Sequence, residues 1–330
     1  MDTTKFDVLG VGNAIVDVLA KASDSFIEEQ RSFGMEKGGM TLIDADRAED
    51  LYDLMNPSTE MSGGSAANTL ACLASMGGKG AFIGKVADDQ LGNIFRHDMK
   101  AQGIEFNTSA LTGSKPTARC LVLITPDAER TMNTFLGACT ELTSDDVEED
   151  QVREAKVTYL EGYLFDPAHA KQAFYKTAAI TKAAGRQLAL SLSDPFCVER
   201  HREDFKDLIF NHVDILFANE DELCALMETD FETACDLIAN KCEVAAITRG
   251  AKGSMVIKDG ERTEIDSVKP EELVDTTGAG DAYAAGFLYG YANGKDMAVC
   301  GRYGSIAAAE VISHIGPRPS KSLADLIKGV

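Results

Sequence analysis

The stretch DTTGAGDAYAAG, residues 275 to 286, places an aspartate directly behind a loop that has almost no side chains. Glycines at 278 and 280 let the backbone approach a ligand closely, and the start of the helix that follows leaves unpaired amides with a partial positive charge. The loop therefore predicts an anion site, with Asp281 as a base beside it. The alternative is that Asp281 only begins a helix whose dipole favours a carboxylate. We expect that dipole to lower the pKa of Asp281.

A second pair of glycines precedes a helix-like run in MSGGSAANT, residues 61 to 69. Asn68 would lie about one turn into that helix, where its amide can present a donor and an acceptor to a sugar. The alternative is that a serine caps the helix and Asn68 faces solvent, because capping is the commoner role of such residues.

Asp17 interrupts an apolar, β-like stretch, FDVLGVGNAIVDVLA, at residues 6 to 20. A lone carboxylate inside such a strand is costly unless it is paired or faces a polar cleft. Asp17 is therefore a candidate ligand for hydroxyl groups. The alternative is that its strand lies at the edge of a sheet and leaves the carboxylate in water.

Polar residues follow two further predicted strands. In ANEDEL, Asn219 ends a strand and Glu222 comes three residues later. That spacing is typical of a capping box, and it also suits a carboxylate that positions Mg²⁺ directly or through water. In TRGAKGS, Thr248 ends a strand before Gly250 and Gly253; taken alone, this is an ordinary turn.

Several common nucleotide-binding and metal-binding motifs are missing from the sequence. GVGNAI lacks the third glycine of a dinucleotide-binding fingerprint, and no Gly-x-x-x-x-Gly-Lys-Ser/Thr occurs, which excludes a P-loop kinase. The five histidines show no spacing typical of metal ligands.

The composition narrows the class of protein. The chain has 330 residues, 45% of them hydrophobic, and a formal net charge of −21 at pH 7. This charge argues against nucleic acid and anionic membranes as partners, so any bound phosphate must be held by local donors. Eight cysteines without a Cys-x-x-Cys pair fit reduced thiols. With no signal-peptide pattern and no long apolar run, we expect a cytoplasmic protein without a membrane span.

Strands and helices alternate along most of the chain, which predicts an α/β fold with a mainly parallel sheet flanked by helices. Helices are expected at residues 65 to 78, 279 to 293 and 296 to 314. They would place Asn68 and Asp281 near the starts of two helices.

A predicted hairpin at residues 121 to 137 does not fit this alternation. Together with segments of the first 45 residues, it could form a small separate sheet. We therefore expect one domain over residues 1 to 330, with a lid subdomain from about 13 to 45 and 108 to 140.

These stretches occur together and in a fixed order. The run GGSAANTLACLASMGGKGAFIGKVADDQLG is similar to the N-terminal signature of the ribokinase-like (PfkB) family of carbohydrate and nucleoside kinases, and DTTGAGDAYAAGFLYG to its C-terminal signature. The resemblance covers essentially the whole chain. It implies a doubly wound α/β fold with a small β-sheet lid, and transfer of the ATP γ-phosphate to a hydroxymethyl group.

Within that family the chain most resembles the adenosine kinases. Residues 26 to 55 are similar to their longer N-terminal insert, and LSDPFCVE, residues 192 to 199, to their Leu-Ser-Ala-Pro-Phe stretch. AAEVISHIG is similar to their C-terminal helix. The implied reaction is phosphorylation of a nucleoside at its 5′-hydroxymethyl group, with adenosine as the first candidate. ATP and Mg²⁺ are the implied cofactors, and K⁺ is a further candidate ion.

The resemblance also implies roles for individual residues. The nucleoside would be held by Asn13, Asp17, Gly63, Gly64, Ser65, Asn68 and Phe196, with Asp17 on the ribose hydroxyls and Phe196 near the base. ATP would be bound by Asn219, Thr248, Gly250, Gly253 and Thr277, with Glu222 positioning Mg²⁺ through water. Catalysis would fall to Asp281, the anion-binding loop Gly278, Ala279 and Gly280, and Arg130 from the lid hairpin, with Asp275 at a monovalent-cation site.

One departure from the adenosine kinase pattern bears on the substrate. Where those enzymes often have Ala-Gly-Phe-Phe, this chain has Glu161, Gly162, Tyr163 and Leu164. The change affects one aromatic wall of a base pocket, and Glu161 introduces a carboxylate that a sugar could use instead.

Two other functions therefore stay open. One is a kinase of a free sugar or sugar acid, such as fructose, ribose or 2-keto-3-deoxygluconate. The other is a nucleotide-binding regulator without catalysis, against which the intact Asp281 and glycine loop argue. A monomer and a homodimer both fit the sequence.

Overall fold

The protein is described by a computed structural model over residues 4–127, 129–165 and 167–330. Its strands are β1 (Phe6–Val11), β2 (Ile15–Lys21), β3 (Met40–Leu42), β4 (Thr59–Gly63), β5 (Gly80–Ile83), β6 (Glu105–Phe106), β7 (Ala118–Ile124), β8 (Arg130–Phe135), β9 (Ala155–Glu161), β10 (Gln187–Ser191), β11 (Ile215–Asn219), β12 (Val244–Thr248), β13 (Ser254–Lys258) and β14 (Glu261–Ile265). Its α-helices are α1 (Asp24–Glu29), α2 (Ala45–Leu54), α3 (Ser65–Ser75), α4 (Gln90–Ala101), α5 (Glu149–Arg153), α6 (Ala168–Ala183), α7 (Pro195–His212), α8 (Glu220–Met227), α9 (Phe231–Ile238), α10 (Ala279–Ala292), α11 (Met297–Val311) and α12 (Leu323–Leu326).

Nine strands form the larger sheet, in the order β14-β13-β12-β11-β10-β9-β1-β5-β6. The pairs from β6 to β12 are parallel, and β13 and β14 are added antiparallel. The predicted α/β fold with a mainly parallel sheet is confirmed. All strands of the parallel part end at one edge, which is where such sheets carry their ligand sites.

The larger sheet is covered by helices on both faces. In β1 the neighbours Val8 and Leu9 point to opposite faces, because successive side chains of a strand alternate. Val8 packs in a core that includes Leu70 of α3, and Leu9 packs in a second core that includes Phe174 of α6. A strand buried on both sides reads as a nearly continuous apolar run, which is what the sequence of β1 shows.

The smaller sheet has five strands in the order β3-β8-β7-β2-β4. The predicted hairpin is confirmed as the antiparallel pair β7 and β8; its bend includes residue 128, which lies outside the described residues. The sheet also contains β4, which falls outside the two segments predicted for the lid. The sequence of β4, TEMSG, has no apolar alternation, so only its pairing with β2 makes it a strand. The assignment of this sheet as a lid stays a prediction.

The single β-like stretch predicted at residues 6 to 20 is two strands, β1 and β2, which belong to different sheets. The chain passes from one sheet to the other at Gly12, Asn13 and Ala14. A Cβ atom at Gly12 would lie 2.4 Å from Oε2 of Glu161, so only glycine fits this crossing. The crossing brings Asn13 to the carboxyl edge of the larger sheet.

All eight cysteines are free thiols in the structure. Within the described ranges, every helix is too short or too polar to cross a lipid bilayer.

Helices α10 and α11 approach each other very closely. A Cβ atom at Gly286 of α10 would lie 2.4 Å from the backbone oxygen of Tyr303 and 2.6 Å from the backbone nitrogen of Gly304. Because backbone atoms cannot move aside cheaply, a glycine is required at this contact. The contact fixes the position of α10, whose first turn contains Asp281.

Replacing Gly286 with alanine should therefore destabilise the fold. We expect Gly286→Ala to lower the free energy of unfolding by about 1–3 kcal/mol, the usual cost of overpacking a core, as measured by urea denaturation. Gly280→Ala is the matched control in the same helix, since a Cβ there meets no atom within 4 Å. It should be neutral or stabilising by up to about 1 kcal/mol. Equal stability of the two variants would contradict the packing argument.

Candidate active site

The starts of helices α3 and α10 meet at the carboxyl edge of the larger sheet. Ser65 Oγ donates a hydrogen bond to Asp281 Oδ1 at 2.5 Å, and Asn68 Nδ2 donates to Asp281 Oδ2 at 3.4 Å. The structure thus brings together the polar residues of the two glycine motifs. Asn68 is only 5% exposed and α3 has no side-chain cap, so the alternative of a capped helix with a solvated Asn68 is wrong.

The glycine loop before α10 is shaped by backbone geometry. Gly278 has a φ of 78°, and a Cβ there would lie 2.6 Å from Cβ of Pro317, so both conformation and space require glycine. Gly280 is open to solvent on the side where a side chain would stand. Among the described residues, no hydrogen-bond acceptor meets the amides of Gly280 and Asp281, whereas the Ala279 amide closes a turn on Thr276. The loop therefore offers two free amides to an anion.

The pKa of Asp281 is raised to about 6, not lowered as the helix dipole predicts. Burial between α3 and α10 is the main cause, and the hydrogen bonds from Ser65 and Asn68 oppose it only in part. The expectation of a lowered pKa for Asp281 was wrong because the helix dipole is a local effect. Burial depends on packing against α3, which is more than 200 residues away in the chain. A carboxylate with a raised pKa is a stronger base at neutral pH.

Asp17 reaches the same region from β2 of the smaller sheet. β2 lies between β7 and β4, so the alternative that Asp17 occupies an edge strand is wrong. Gly63 makes room for it, since a Cβ atom there would lie 2.4 Å from Oδ2 of Asp17. Burial raises the pKa of Asp17 to about 6, while Arg318 and Arg130 lower it and Asp281 raises it further.

Glu161 ends strand β9 and is almost fully buried, with 1% exposure. Its Oε1 accepts a hydrogen bond from Asn13 Nδ2 and its Oε2 accepts one from the Ala66 amide, both at 2.8 Å. Burial raises the pKa of Glu161 to about 7. Glu161 therefore ties the crossing at Asn13 to the start of α3. Gly64 belongs to the same junction, because a Cβ there would lie 2.2 Å from the backbone oxygen of Asn13.

Tyr163 places an aromatic ring at this edge. Strand β9 ends at Glu161, and Tyr163 lies in the 3₁₀ turn that follows, with 38% exposure. Its hydroxyl donates to the Ser193 backbone oxygen at 3.2 Å, and its amide donates to Ser193 Oγ at 3.3 Å. Burial and the nearby carboxylates of Asp194, Asp281 and others raise the pKa of Tyr163. Tyr163 thus keeps one of the two aromatic rings of the Ala-Gly-Phe-Phe pattern at this edge, whereas Leu164, in place of the other, is buried.

Phe196, the residue expected near a base, lies in the first turn of α7 with 72% exposure. Asp194 caps this helix by accepting from the Cys197 amide at 2.7 Å. The helix begins after β10, and therefore at the carboxyl edge. A stacking role for Phe196 stays a prediction.

Asn219 and Glu222 form the capping box that their spacing allows. Each side chain accepts a hydrogen bond from the backbone amide of the other, and Asn219 Nδ2 also donates to Glu222 Oε1 at 2.8 Å. Burial raises the pKa of Glu222 to about 7. In the described part of the chain, no group of three or more His, Cys, Asp or Glu side chains could hold a metal ion. A role of Glu222 toward Mg²⁺ stays a prediction.

The other residues expected to bind ATP surround the end of β12. Thr248 is the last residue of that strand, and Gly250 opens a 3₁₀ turn with a φ of 56°. Gly253 is required by packing, because a Cβ atom there would lie 2.0 Å from the backbone oxygen of Ile265. Thr277 donates its amide to Oδ1 of Asp275 at 3.0 Å.

Arg130 of the smaller sheet pairs with Asp275, which precedes the glycine loop. Arg130 Nη2 lies 2.9 Å from Asp275 Oδ2, and both side chains are at most 9% exposed. The same carboxylate oxygen accepts the Gly316 amide at 3.0 Å. This ion pair joins β8 to the loop that begins α10. A monovalent cation at Asp275 stays a prediction.

Arg318 is the residue that the sequence analysis missed. Its Nε donates to Asn68 Oδ1 at 3.3 Å, and Asn68 in turn donates to Asp281. Arg318 is therefore connected to Asp281 through one side chain. The signal in the sequence was an arginine between two prolines, GPRPS, in a strongly acidic chain.

A cavity of about 600 Å³ opens at the opposite, amino edge of the larger sheet. It is lined by the starts of β10 and β11 and by residues that follow α6, α7 and α9. Neither Asp281 nor the glycine loop borders it, so we place the candidate active site at the carboxyl edge.

Comparison with known proteins identifies the family. The model of the pfkB family of carbohydrate kinases matches residues 36–323. A solved structure of adenosine kinase from Sinorhizobium meliloti is 53% identical, with a TM-score of 0.90 and 98% of both chains covered. A probable sugar kinase from Rhizobium etli is 50% identical, with a TM-score of 0.91 and the same coverage. The 5-dehydro-2-deoxygluconokinase of Shouchella clausii is 27% identical over 94% of this chain and 90% of that protein.

The chain therefore belongs to the pfkB family of carbohydrate kinases and is a phosphotransferase with an alcohol acceptor. The family resemblance inferred from the two glycine signatures is confirmed, as is the kinase activity. The relatives bear the names of both nucleoside and sugar kinases, so the comparisons leave the acceptor open.

The raised pKa values predict the acid limit of activity. A base must be deprotonated to act, and the pKa values of Asp281 and Asp17 are both about 6. We expect kcat/KM for the acceptor to fall by about tenfold or more for each pH unit below that value. The measurement is a kcat/KM profile from about pH 4.5 to 9 with MgATP held saturating. A profile that stays flat down to about pH 4, the ordinary carboxyl range, would show that the helix dipole outweighs burial.

Proposed function

We propose that this protein transfers the γ-phosphate of ATP to the 5′-hydroxymethyl group of a nucleoside, with adenosine as the preferred acceptor. The observation that carries the proposal is the pair of aromatic residues at the carboxyl edge, Tyr163 and Phe196, which are 38% and 72% exposed. Exposed aromatic rings at the edge that also carries Asp281 suit an acceptor that has both an aromatic base and a hydroxyl group. The 53% identity to a chain named adenosine kinase supports the same substrate.

In this proposal Asp281 is the base. Its carboxylate is fixed from both oxygens by Ser65 and Asn68 and is mostly ionised at neutral pH, since its pKa is about 6. It would accept the proton of the attacking hydroxyl group. The free amides of Gly280 and Asp281 would stabilise the charge that develops on the transferring phosphate. Phosphoryl transfer needs mainly positioning and charge stabilisation, which these groups supply.

Asp17 and Asn68 would bind the sugar hydroxyl groups of the acceptor. Asp17 is half-buried and has no hydrogen-bond donor among the described residues. A partly desolvated carboxylate without such a donor is costly, and two ribose hydroxyl groups would satisfy it. Asn13 and Gly64 would shape this pocket from the crossing between the sheets, because Asn13 is already bonded to Glu161.

Mg²⁺ would be held by Glu222 through water, and ATP by residues at the ends of β11 and β12. Each carboxylate oxygen of Glu222 carries one hydrogen bond and retains a lone pair, and Asp194 and Asp221 add negative charge nearby. One carboxylate with free lone pairs suits contact through water with a divalent cation, which prefers oxygen ligands and keeps several waters. The ion would offset the charge of the ATP phosphates. Thr248, Gly250 and Thr277 would line the nucleotide.

Arg130 would reach the transferring phosphate from the smaller sheet. It is held by Asp275 at 2.9 Å in this structure, next to the loop that would bind the phosphate. Exchange of the carboxylate for a phosphate group would keep the guanidinium paired throughout, which suits arginine.

We also propose that the protein acts in the cytoplasm. Its eight cysteines are all free thiols, and free thiols persist in a reducing compartment. An ATP-dependent kinase finds its nucleotide there.

A sugar or sugar acid is the second candidate acceptor. Glu161 is the observation that favours it, since a carboxylate replaces a small apolar residue of the adenosine kinase pattern beside Asn13. The relatives named as sugar kinases agree with this alternative.

A panel of acceptors tests the proposal. The purified chain with MgATP is offered adenosine, inosine, uridine, ribose, fructose and 2-keto-3-deoxygluconate, and ADP release is measured. We expect adenosine to give the highest kcat/KM, and Tyr163→Ala to raise its KM, whereas Tyr163→Phe should retain activity because it keeps the ring. A free sugar as the best acceptor would replace the first candidate by the second. No ADP release with any acceptor would support a regulator without catalysis.

Asp281→Asn tests the catalytic role separately from the acceptor. The variant keeps the size of the side chain but cannot take a proton, so we predict that kcat falls by about 10²–10⁴-fold, the usual span for a positioned acid–base group. Binding of ATP and acceptor, measured by calorimetry, should change little, because the lost interaction belongs to the transition state. Retention of more than about a tenth of kcat would leave Asp281 as a residue that only begins α10.

A further inference from the structure

The segment that follows α11, residues 316 to 323, forms hydrogen bonds with Asp275, with Glu310 of α11 and with Ser75 of α3. The Gly316 amide donates to Asp275 Oδ2 at 3.0 Å. Glu310 Oε1 accepts from the Ser320 amide and hydroxyl and from the Lys321 amide, at 2.8–3.0 Å. The Leu323 amide donates to Ser75 Oγ of α3 at 3.1 Å.

Arg318 lies within this segment, and its side chain points toward Asn68 of α3. Its Nε donates to Asn68 Oδ1 at 3.3 Å. Its Nη2 is buried and has no hydrogen-bond partner among the described residues. An unpaired guanidinium nitrogen is costly to bury, so the charge must serve a purpose other than stability.

The contact with Asn68 decides which way its amide points. Oδ1 faces the arginine, which can only donate, so Nδ2 must face Asp281, where it donates to Oδ2 at 3.4 Å. If the amide turned over, its oxygen would face the carboxylate and repel it when ionised. Arg318 therefore favours the orientation that stabilises ionised Asp281.

Arg318 also faces the second carboxylate of the site. The charged and titratable groups around Asp17 are Arg318 from the segment after α11, Arg130 from β8, Asp281 from α10 and Cys120 from β7. Those around Arg318 are Asp17, Asp98 of α4 and Cys72 of α3. Arg318 and Arg130 are thus the two positively charged residues named near Asp17. Arg130 is already paired with Asp275, whereas Arg318 is not.

We propose that Arg318 is a positioning residue for phosphoryl transfer, which orients the Asn68 amide toward Asp281 and adds positive charge near Asp17. The inference rests on the proposed role of Asp281 as the base. It does not depend on the acceptor, because both candidates present hydroxyl groups to the same carboxylates.

A double-mutant cycle tests the role. Arg318→Met, Asn68→Ala and the double variant are assayed with MgATP and the best acceptor of the panel. We expect Arg318→Met to lower kcat roughly tenfold with the KM for ATP unchanged, and to lower it less than about threefold in the Asn68→Ala background, because contacting residues are not additive. Arg153→Met, which removes an exposed arginine of α5, is the control and should leave kcat unchanged.

A pH profile separates this role from general damage to the fold. Without the positive charge, the pKa of Asp17 rises, so the acid limb of kcat/KM should move to higher pH in Arg318→Met. Arg318→Lys keeps the charge and should return the limb toward that of the unaltered protein. Thermal denaturation shows whether each variant is folded. If Arg318→Met is not folded, Arg318→Gln takes its place, and its acid limb is compared with that of Arg318→Lys.

Additive losses in the cycle, or an acid limb that does not move, would overturn the inference. Asp281→Asn is measured in parallel. If that variant keeps its kcat, the role of Asp281 fails whatever Arg318 does. If Asp281→Asn loses activity and the cycle is additive, only the inference about Arg318 fails.

Discussion

The carboxylate of Asp281 is buried with both oxygens held by side chains of another helix, and the rest of the site depends on this contact. Ser65 and Asn68 belong to the start of α3, and Asp281 to the first turn of α10. For these residues to meet, both helices must begin at one edge of the sheet and pack closely. Parallel strands provide the common edge, and the glycines of α10 allow the close approach to α11. The same burial raises the pKa of the carboxylate, so the packing that positions Asp281 also makes it more basic.

The features that could be predicted from the sequence are those encoded locally. Helix α3 begins at Ser65 and α10 at Ala279, as the glycine-rich stretches and the apolar spacing indicate. The features that could not be predicted depend on partners far away in the chain. Strand β4 has no apolar pattern of its own and exists through its pairing with β2. The pKa of Asp281 is set by burial against α3, and Arg318 contacts a residue 250 positions earlier.

The electrostatics of the site contrast with those of the whole chain. The protein carries a formal net charge of −21, yet two arginines with little exposure lie near the glycine loop, Arg130 from β8 and Arg318 from the segment after α11. A field that repels anions at long range leaves their binding to short-range donors: backbone amides, helix starts and these guanidinium groups. Only a phosphate that arrives in the correct position meets those donors. The acidic surface and the local positive groups therefore act together to select a correctly placed phosphate over other anions.

The division of the site between two sheets has a consequence for how such enzymes diversify. In the proposed function the glycine loop and the nucleotide-binding residues lie on the larger sheet and its helices, whereas Asp17, which meets the sugar hydroxyl groups of the acceptor, and Arg130, which reaches the phosphate, lie on the smaller sheet. In this proposal, changes around Asp17 on β2 would alter the accepted alcohol while Asp281 and the glycine loop stay intact. The same framework would then serve a nucleoside or a sugar, and two solved structures similar to this chain bear the names adenosine kinase and probable sugar kinase.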